Sequence, residues 1–352
     1  MDIFELVRYT ENKARLFVLY FRRIIFAKNH FKVPFPVKLK ANICGGYLAD
    51  QWALYDLNME KRKAYLSEFD WYRSRYINEP FDYMLNNKII ATEVLGRYVR
   101  MPKIYLVNSK GVISDFSGAV LRTEEAVTRI EELKDVFIKP YGKGKGTGVH
   151  HITCEDGVLF VDDTRVTAQA LAELLAGDKN WYVSETVKQH PYADSLYDKT
   201  ANTIRIITLR DPKTKRFKVF FAVQRIGTSK TIPVDNGSQG GLVCKIDLET
   251  GRLSHGRRLH DCEVYETHPD SGTRFEDVVI PDWPVLQQEV LSLAERFPYL
   301  HFIAWDIIKL PNGQNCVIEA NTSSGVNIVQ LWGGQRQGEL GDFYRAHGVI
   351  KK

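Results

Sequence analysis

The chain has 352 residues, 44% hydrophobic and 26% charged, with a formal net charge of +5. These are globular averages, which exclude a disordered, collagenous or coiled-coil protein, and the length predicts two to three domains at about 150 residues each. Nine Lys/Arg against three acids give residues 1–40 a charge of +6, so the rest is close to neutral and general nucleic-acid affinity is excluded.

Residues 1–30 read as a helix, with Leu16–Tyr20 and Ile24–Phe26 flanking Arg22-Arg23. The arginine pair excludes a membrane span, and no small-residue cleavage site follows to make a signal peptide. Bulky apolar groups beside basic ones suit a helix lying on an anionic bilayer, a peripheral membrane contact through residues 1–30. The other reading is a helix docked on the protein's own core. Pro34, Pro36 and three lysines make 32–40 a loop or linker. Residues 46–100 read as helical and aromatic, with Tyr47, Trp52, Tyr55, Tyr65, Phe69, Trp71, Tyr72 and Tyr76.

From about residue 104 the pattern changes to short apolar runs: 104–107, 136–138, 181–183, 204–209, 217–223, 302–308 and 316–318. Helices are predicted near 123–134, 167–176 and 283–296. The result is an α+β or α/β body behind a helical N-terminal part. Five cysteines (Cys44, Cys154, Cys244, Cys262, Cys316) form no CxxC pair, which argues for a reducing, cytoplasmic setting and against a zinc knuckle or disulfide framework. No GxSxG elbow supports a hydrolase triad, and His150-His151 lacks a third ligand to complete a metal site.

Three constellations carry chemistry. In the first, Asn312-Gly313 between apolar runs signals a hairpin. A two-residue loop pairs positions summing to 625, which sets Asp306 opposite Glu319 with Asn321 on the same face. Two opposed carboxylates repel, and with an amide oxygen beside them they suit Mg²⁺. In the second, Lys139 ends an apolar run before Gly142, Gly144, Gly146 and Gly148, a lysine and glycine-rich loop suited to phosphate oxygens. In the third, Arg205 and Arg225 flank a turn at 211–215. A five-residue loop puts them on one face, ~13 Å apart along the ladder, where they could grip a terminal phosphate and a carboxylate. Asn236 lies just beyond in a loop suited to backbone contacts.

Together with Asn87-Lys88, Ser184-Glu185-Thr-Val-Lys-Gln-His190-Pro and Asn202-Thr-Ile-Arg205, these motifs resemble the ATP-grasp superfamily, specifically its sugar-transfer-associated, α-L-glutamate ligase-related branch, from about residue 80 to 352. The resemblance implies an α+β ATP-grasp fold, two lobes clamping ATP behind the helical N-terminal region. The expected divisions are a basic segment 1–45, a helical region 46–103, an N-lobe 104–187 and a C-lobe 188–352. It implies Lys88 and Lys139 on phosphates beneath the glycine loop, Glu185, Thr186 and Val187 on adenine and ribose, and Asp306, Glu319 and Asn321 on two Mg²⁺ ions, with Mn²⁺ as a substitute. Arg205 and Arg225 resemble the arginines on the γ-phosphate and acyl group. The expected activity is ATP-dependent ligation of a small-molecule carboxylate to an amine through an acylphosphate, by association in surface-polysaccharide assembly. The rival readings are a kinase on the same scaffold and a non-catalytic ATP-binding scaffold.

Overall fold

The computed structural model describes residues 2–141 and 148–351. Its N-terminal part is helical: α1 (Ile3–Tyr20) runs on into a π-helical turn (Phe21–Ile25), followed by α2 (Phe35–Ile43), α3 (Ala49–Leu54), α4 (Glu68–Ser74), α5 (Tyr83–Asn86) and α6 (Lys88–Leu95). The aromatic run of residues 46–100 is largely internal. Tyr47, Trp52, Tyr55 and Leu57 form a small core with Val243 and Leu331, and Ser67 caps α4 in a reciprocal pair with Asp70.

Two antiparallel sheets follow. The first holds β1 (Ile104–Ser109), β2 (Val112–Asp115), β3 (Val120–Leu121), β4 (Asp135–Pro140), β5 (His150–Glu155), β6 (Val158–Val161), β7 (Thr164–Val166) and β8 (Asn180–Glu185), in the order 3-2-1-8-4-5-6-7. Helices α7 (Thr123–Leu133) and α8 (Ala168–Gly177) cover it, burying Ile130, Leu171 and Leu175 against Val136, Ile138 and Val183. The second holds β9 (Ile204–Arg210), β10 (Phe217–Ile226), β11 (Leu242–Ile246), β12 (Leu253–Arg257), β13 (Val264–Tyr265), β14 (Phe302–Lys309) and β15 (Asn315–Asn321), in the order 13-12-11-10-9-14-15. The chain passes between the sheets through residues 186–190 and α9 (Pro191–Leu196).

The second sheet is covered on both faces. On one, Ile204, Ile206, Trp305 and Ile307 pack against α10 (Trp283–Glu295) and α6. On the other, Ile207, Leu209, Phe302 and Ala304 pack against α11 (Val326–Gln330) and α12 (Glu339–Ala346). Side chains alternate along a strand, so residues 205, 207 and 209 share that second face, as do 302, 304 and 306. The stripe is apolar at one end and charged at the other, because its last members are Arg205 and Asp306. The fold is α+β, as the motifs imply.

Candidate functional site

The site begins with the β14–β15 hairpin. Gly313 adopts φ +83° and Leu310 N donates to Gln314 O at 2.8 Å, so the loop is Pro311–Gly313, three residues rather than the two expected, with the glycine in the left-handed position such loops require. Near the turn Ile307 pairs with Val317 and Ile308 with Cys316, a register of 624. One extra residue, Ile318, bulges from β15 and restores the register to 625, so Asp306 does face Glu319 and Ala304 faces Asn321. The expected juxtaposition is present, reached by a longer loop and a compensating bulge.

The arginine pair is tighter than the spacing suggested. The β9–β10 turn is one residue longer than expected, held by Asp211 Oδ1 accepting from the backbone N–H groups of Lys213 and Thr214. A bulge between Val219 and Phe221 then shifts the ladder again, so Arg205 pairs with Val223. Two one-residue shifts preserve the shared face and halve the separation. Both guanidinium groups consequently reach one carboxylate. Arg205 grips Asp306 with Nε on Oδ1 at 2.7 Å and Nη2 on Oδ2 at 2.6 Å, and Arg225 Nη1 reaches Oδ2 at 3.1 Å.

Charges extend outward from this buried knot. Arg225 also pairs with Asp235 at 2.8 Å, and Asp235 accepts from Thr203 N at 2.8 Å. Lys88 opens α6 behind its cap Asn87, whose side chain accepts from Ile89 N and Ile90 N, and its Nζ lies 3.2 Å from Glu319 Oε2. Burial disfavours charge on Asp306, but Arg205, Arg225 and Lys88 outweigh it and hold its carboxyl below the usual range. Burial likewise opposes charge on Lys88, and Glu319 overrides it to raise the lysine's pKa. For Lys139 on β4 the balance is the reverse: burial and the neighbouring Lys88 outweigh Glu319 and push it down to about 8.

Four cations (Lys88, Lys139, Arg205, Arg225) and three carboxylates (Asp235, Asp306, Glu319) thus gather where the two sheets meet. Tyr182, directly opposite Lys139 in the β4–β8 ladder, joins them, its phenol pushed up to about 12 by burial. Sequence reasoning missed Asp235 and Tyr182. Asp235 is adjacent to Asn236 in a loop already singled out, while Tyr182 in an apolar run carried no signal.

The other expected residues fall as follows. Gly142, Gly144 and Gly146 lie outside the described residues. Gly148, at φ +75°, precedes β5, whose partner is the Lys139 strand. Glu185 ends β8 and is held by Arg100 Nη2 at 2.5 Å and by Lys103 N at 3.0 Å, so its side chain fixes the inter-sheet segment. Thr186 Oγ1, just after it, is buried with no hydrogen-bond partner among the described residues, an orphan that a ligand in the hinge would satisfy. Val187 follows in the same irregular segment. Asn236 caps a short turn, accepting from Ser238 N at 3.0 Å. Gln189 and His190, from the motif that follows β8, are structural. Gln189 accepts from Asn202 N at 2.8 Å and donates to Thr200 O at 2.9 Å. His190 Nδ1 caps α9 by accepting from Tyr192 N at 3.1 Å.

A family model described as sugar-transfer associated ATP-grasp matches residues 69–338. The chain belongs to that family. Among solved structures, this ATP-grasp chain is similar to D-alanyl-alanine synthetase A from Vibrio cholerae, with 13% identity, 75% of this chain and 64% of that one covered, and a TM-score of 0.41. It is also similar to the VanG D-Ala:D-Ser ligase from Enterococcus faecalis (14% identity, 68% and 53% covered, TM-score 0.39). A third match is the ATP-grasp ligase PsnB, solved with a precursor variant, Mg and ADP (14% identity, 78% and 62% covered, TM-score 0.39). The chain spans between 53% and 64% of the lengths of these three structures. Comparison with curated proteins found no match.

Proposed function

We propose that this ATP-grasp protein is an ATP-dependent carboxylate–amine ligase that works through an acylphosphate. The observation that carries the reading is the cluster itself: two opposed carboxylates, Asp306 and Glu319, each neutralised by a cation suited to phosphate. Asp306, Glu319 and Asn321 form a donor set suited to Mg²⁺, two carboxylates and an amide oxygen on paired strands. Bound there with ATP, Mg²⁺, or Mn²⁺ in its place, would neutralise the phosphate oxygens; two ions are the expected number.

With a metal held by Asp306 and Glu319, Arg205, Arg225 and Lys88 would be free to bind anionic oxygens of the substrates. Lys139 adds charge from the other sheet. A substrate carboxylate oxygen then bonds to the γ-phosphorus while the bond to the β-bridging oxygen breaks, giving ADP and an acylphosphate. An amine attacks the acyl carbon, the carbon–oxygen bond to phosphate breaks, and phosphate and a proton leave. Positioned charge supplies the catalysis, so no side-chain nucleophile is required. Cys316, close by on β15, is an inert thiol, pushed up to about 12 by burial. The hinge residues Glu185 to Val187 and the loop bearing Asn236 complete the nucleotide site.

The substrates that fit the family's description are a sugar acid and an amino acid or amine of surface-polysaccharide biosynthesis, joined in the cytoplasm. The test is a matrix of uronic acids and amines scored for ADP and free phosphate. A ligase releases both only when a carboxylate and an amine are present together. Release of ADP with a hydroxyl acceptor and no free phosphate would establish a kinase instead, and tight ATP binding without turnover on any acceptor would leave a scaffold.

A further inference from the structure

Helix α1 has two opposite sides. One turns to the body: Leu16, Leu19 and Tyr20 are partly buried, Tyr20 Oη donates to Asn42 O at 2.7 Å, and its ring meets Phe69 edge-on at 5.0 Å. On the other side Ile3, Leu6, Val7, Phe17, Val18 and Phe21 recur at helical spacing and are 42–72% exposed. A surface helix of a globular protein turns its apolar stripe inward; here a second apolar stripe faces out. Phe26 beyond it is 76% exposed. Helix α2, tied to the π-helical turn by Asn42 Nδ2 donating to Ile24 O, adds Phe35, Leu39 and Ile43, every fourth residue and all exposed. Among the described residues nothing covers either stripe.

The charge around these stripes identifies the occupant. Lys13, Arg22, Arg23, Lys28, Lys32 and Lys40 are exposed, within the forty residues that carry +6. A second copy of the chain would bring the same positive charge against itself. An anionic lipid surface offers both an acyl boundary for the phenylalanines and phosphates for the basic groups. Among the described residues no helix is long and apolar enough to cross a membrane, so the segment lies on the surface. We propose that residues 1–43 seat this protein on an anionic bilayer leaflet, with the outward stripes of α1 and α2 in the acyl boundary and the basic side chains among the headgroups. The inward side of α1 then stands beside the catalytic end: Arg15 and Leu19 line a small cleft with Asn86 and Thr322, and Thr322 directly follows Asn321.

The test is vesicle flotation of the full chain with phosphatidylcholine alone and with phosphatidylcholine containing phosphatidylglycerol. The protein is expected to float with the anionic vesicles only, and high salt is expected to weaken the binding. Phe17→Ser/Phe21→Ser/Phe26→Ser, all at exposed positions, should reduce binding at least about tenfold with an unchanged melting temperature. Arg22→Gln/Arg23→Gln should reduce it while leaving ADP release in solution intact. Failure of the wild-type chain to bind anionic vesicles overturns the proposal. So does binding that the phenylalanine substitutions leave unchanged, or a dimer in solution that those substitutions dissolve without any vesicle binding.

Discussion

Substituting Asp306 by Asn separates the structural from the catalytic consequences of the central carboxylate. Asp306 is 4% exposed and is the acidic partner of Arg205 through two hydrogen bonds, whereas Arg225 retains Asp235. Asp306→Asn therefore strands one buried guanidinium, at a cost of about 3–5 kcal/mol. Arg205→Met leaves Asp306 still paired with Arg225 at 3.1 Å and should cost less, about 1–3 kcal/mol. The double variant removes both charges together, so its loss should fall short of the sum by at least about 2 kcal/mol. Urea unfolding followed by tryptophan fluorescence measures this, since buried Trp305 adjoins Asp306 on β14. ADP release should be lost in all three proteins, so stability returns in the double variant and activity does not. Strict additivity, or a cost of under about 1 kcal/mol for Asp306→Asn, would refute the account of the knot.

Three further outcomes follow from the geometry. Burial and Lys88 hold Lys139 at about 8, and the lysine is charged below that pH. The kcat/KM for ATP should therefore be flat below pH 8 and fall about tenfold per unit above it, and Lys139→Arg should abolish the inflection; an unchanged profile in that variant would contradict the role. Glu319→Gln should lower ADP release at least about 100-fold while shifting stability by less than about 1 kcal/mol, because the Lys88–Glu319 pair is roughly one-third exposed; retained turnover would remove Glu319 from the metal site. Gly227→Ala should destabilise the protein by more than about 2 kcal/mol, because the added carbon would lie 2.3 Å from Thr200 Oγ1, in the network through which Asn202 ties Thr200 to Gly227 N; thermal unfolding measures it, and a neutral result would mean the segment relaxes.

Much of the second sheet was legible because its strands alternate cleanly between core and site, as in the run from Arg205 to Leu209. The facing of Asp306 and Glu319 was legible for a subtler reason: the three-residue loop and the Ile318 bulge cancel, so a wrong turn length still led to the right partner. The arginines show the opposite case. An extra turn residue and a bulge add rather than cancel, which kept the face and missed the distance. Strands β5, β7 and β12 escaped detection because they are short and rich in polar or glycine residues such as His150, Thr164 and Gly256; β2, β3, β13 and the apolar β6 and β11 were missed as well. The roles of Gln189, His190 and Asn202 are side-chain bonds to backbone groups brought close only by the fold, and spacing alone could not reveal them. Asp235 was invisible as a site residue because it lies in a loop that only the fold brings back to Arg225 on β10.

In the proposed ligase, Asp306 and Glu319 exchange their cations for a metal that carries a nucleotide. A crystal structure of the protein with Mg²⁺ and a non-hydrolysable ATP analogue tests it most directly. The expected result is a metal about 2.1 Å from oxygens of both carboxylates, with Arg205 and Lys88 turned to phosphate oxygens. Nucleotide bound elsewhere, with the Arg205–Asp306 and Lys88–Glu319 pairs intact, would contradict it.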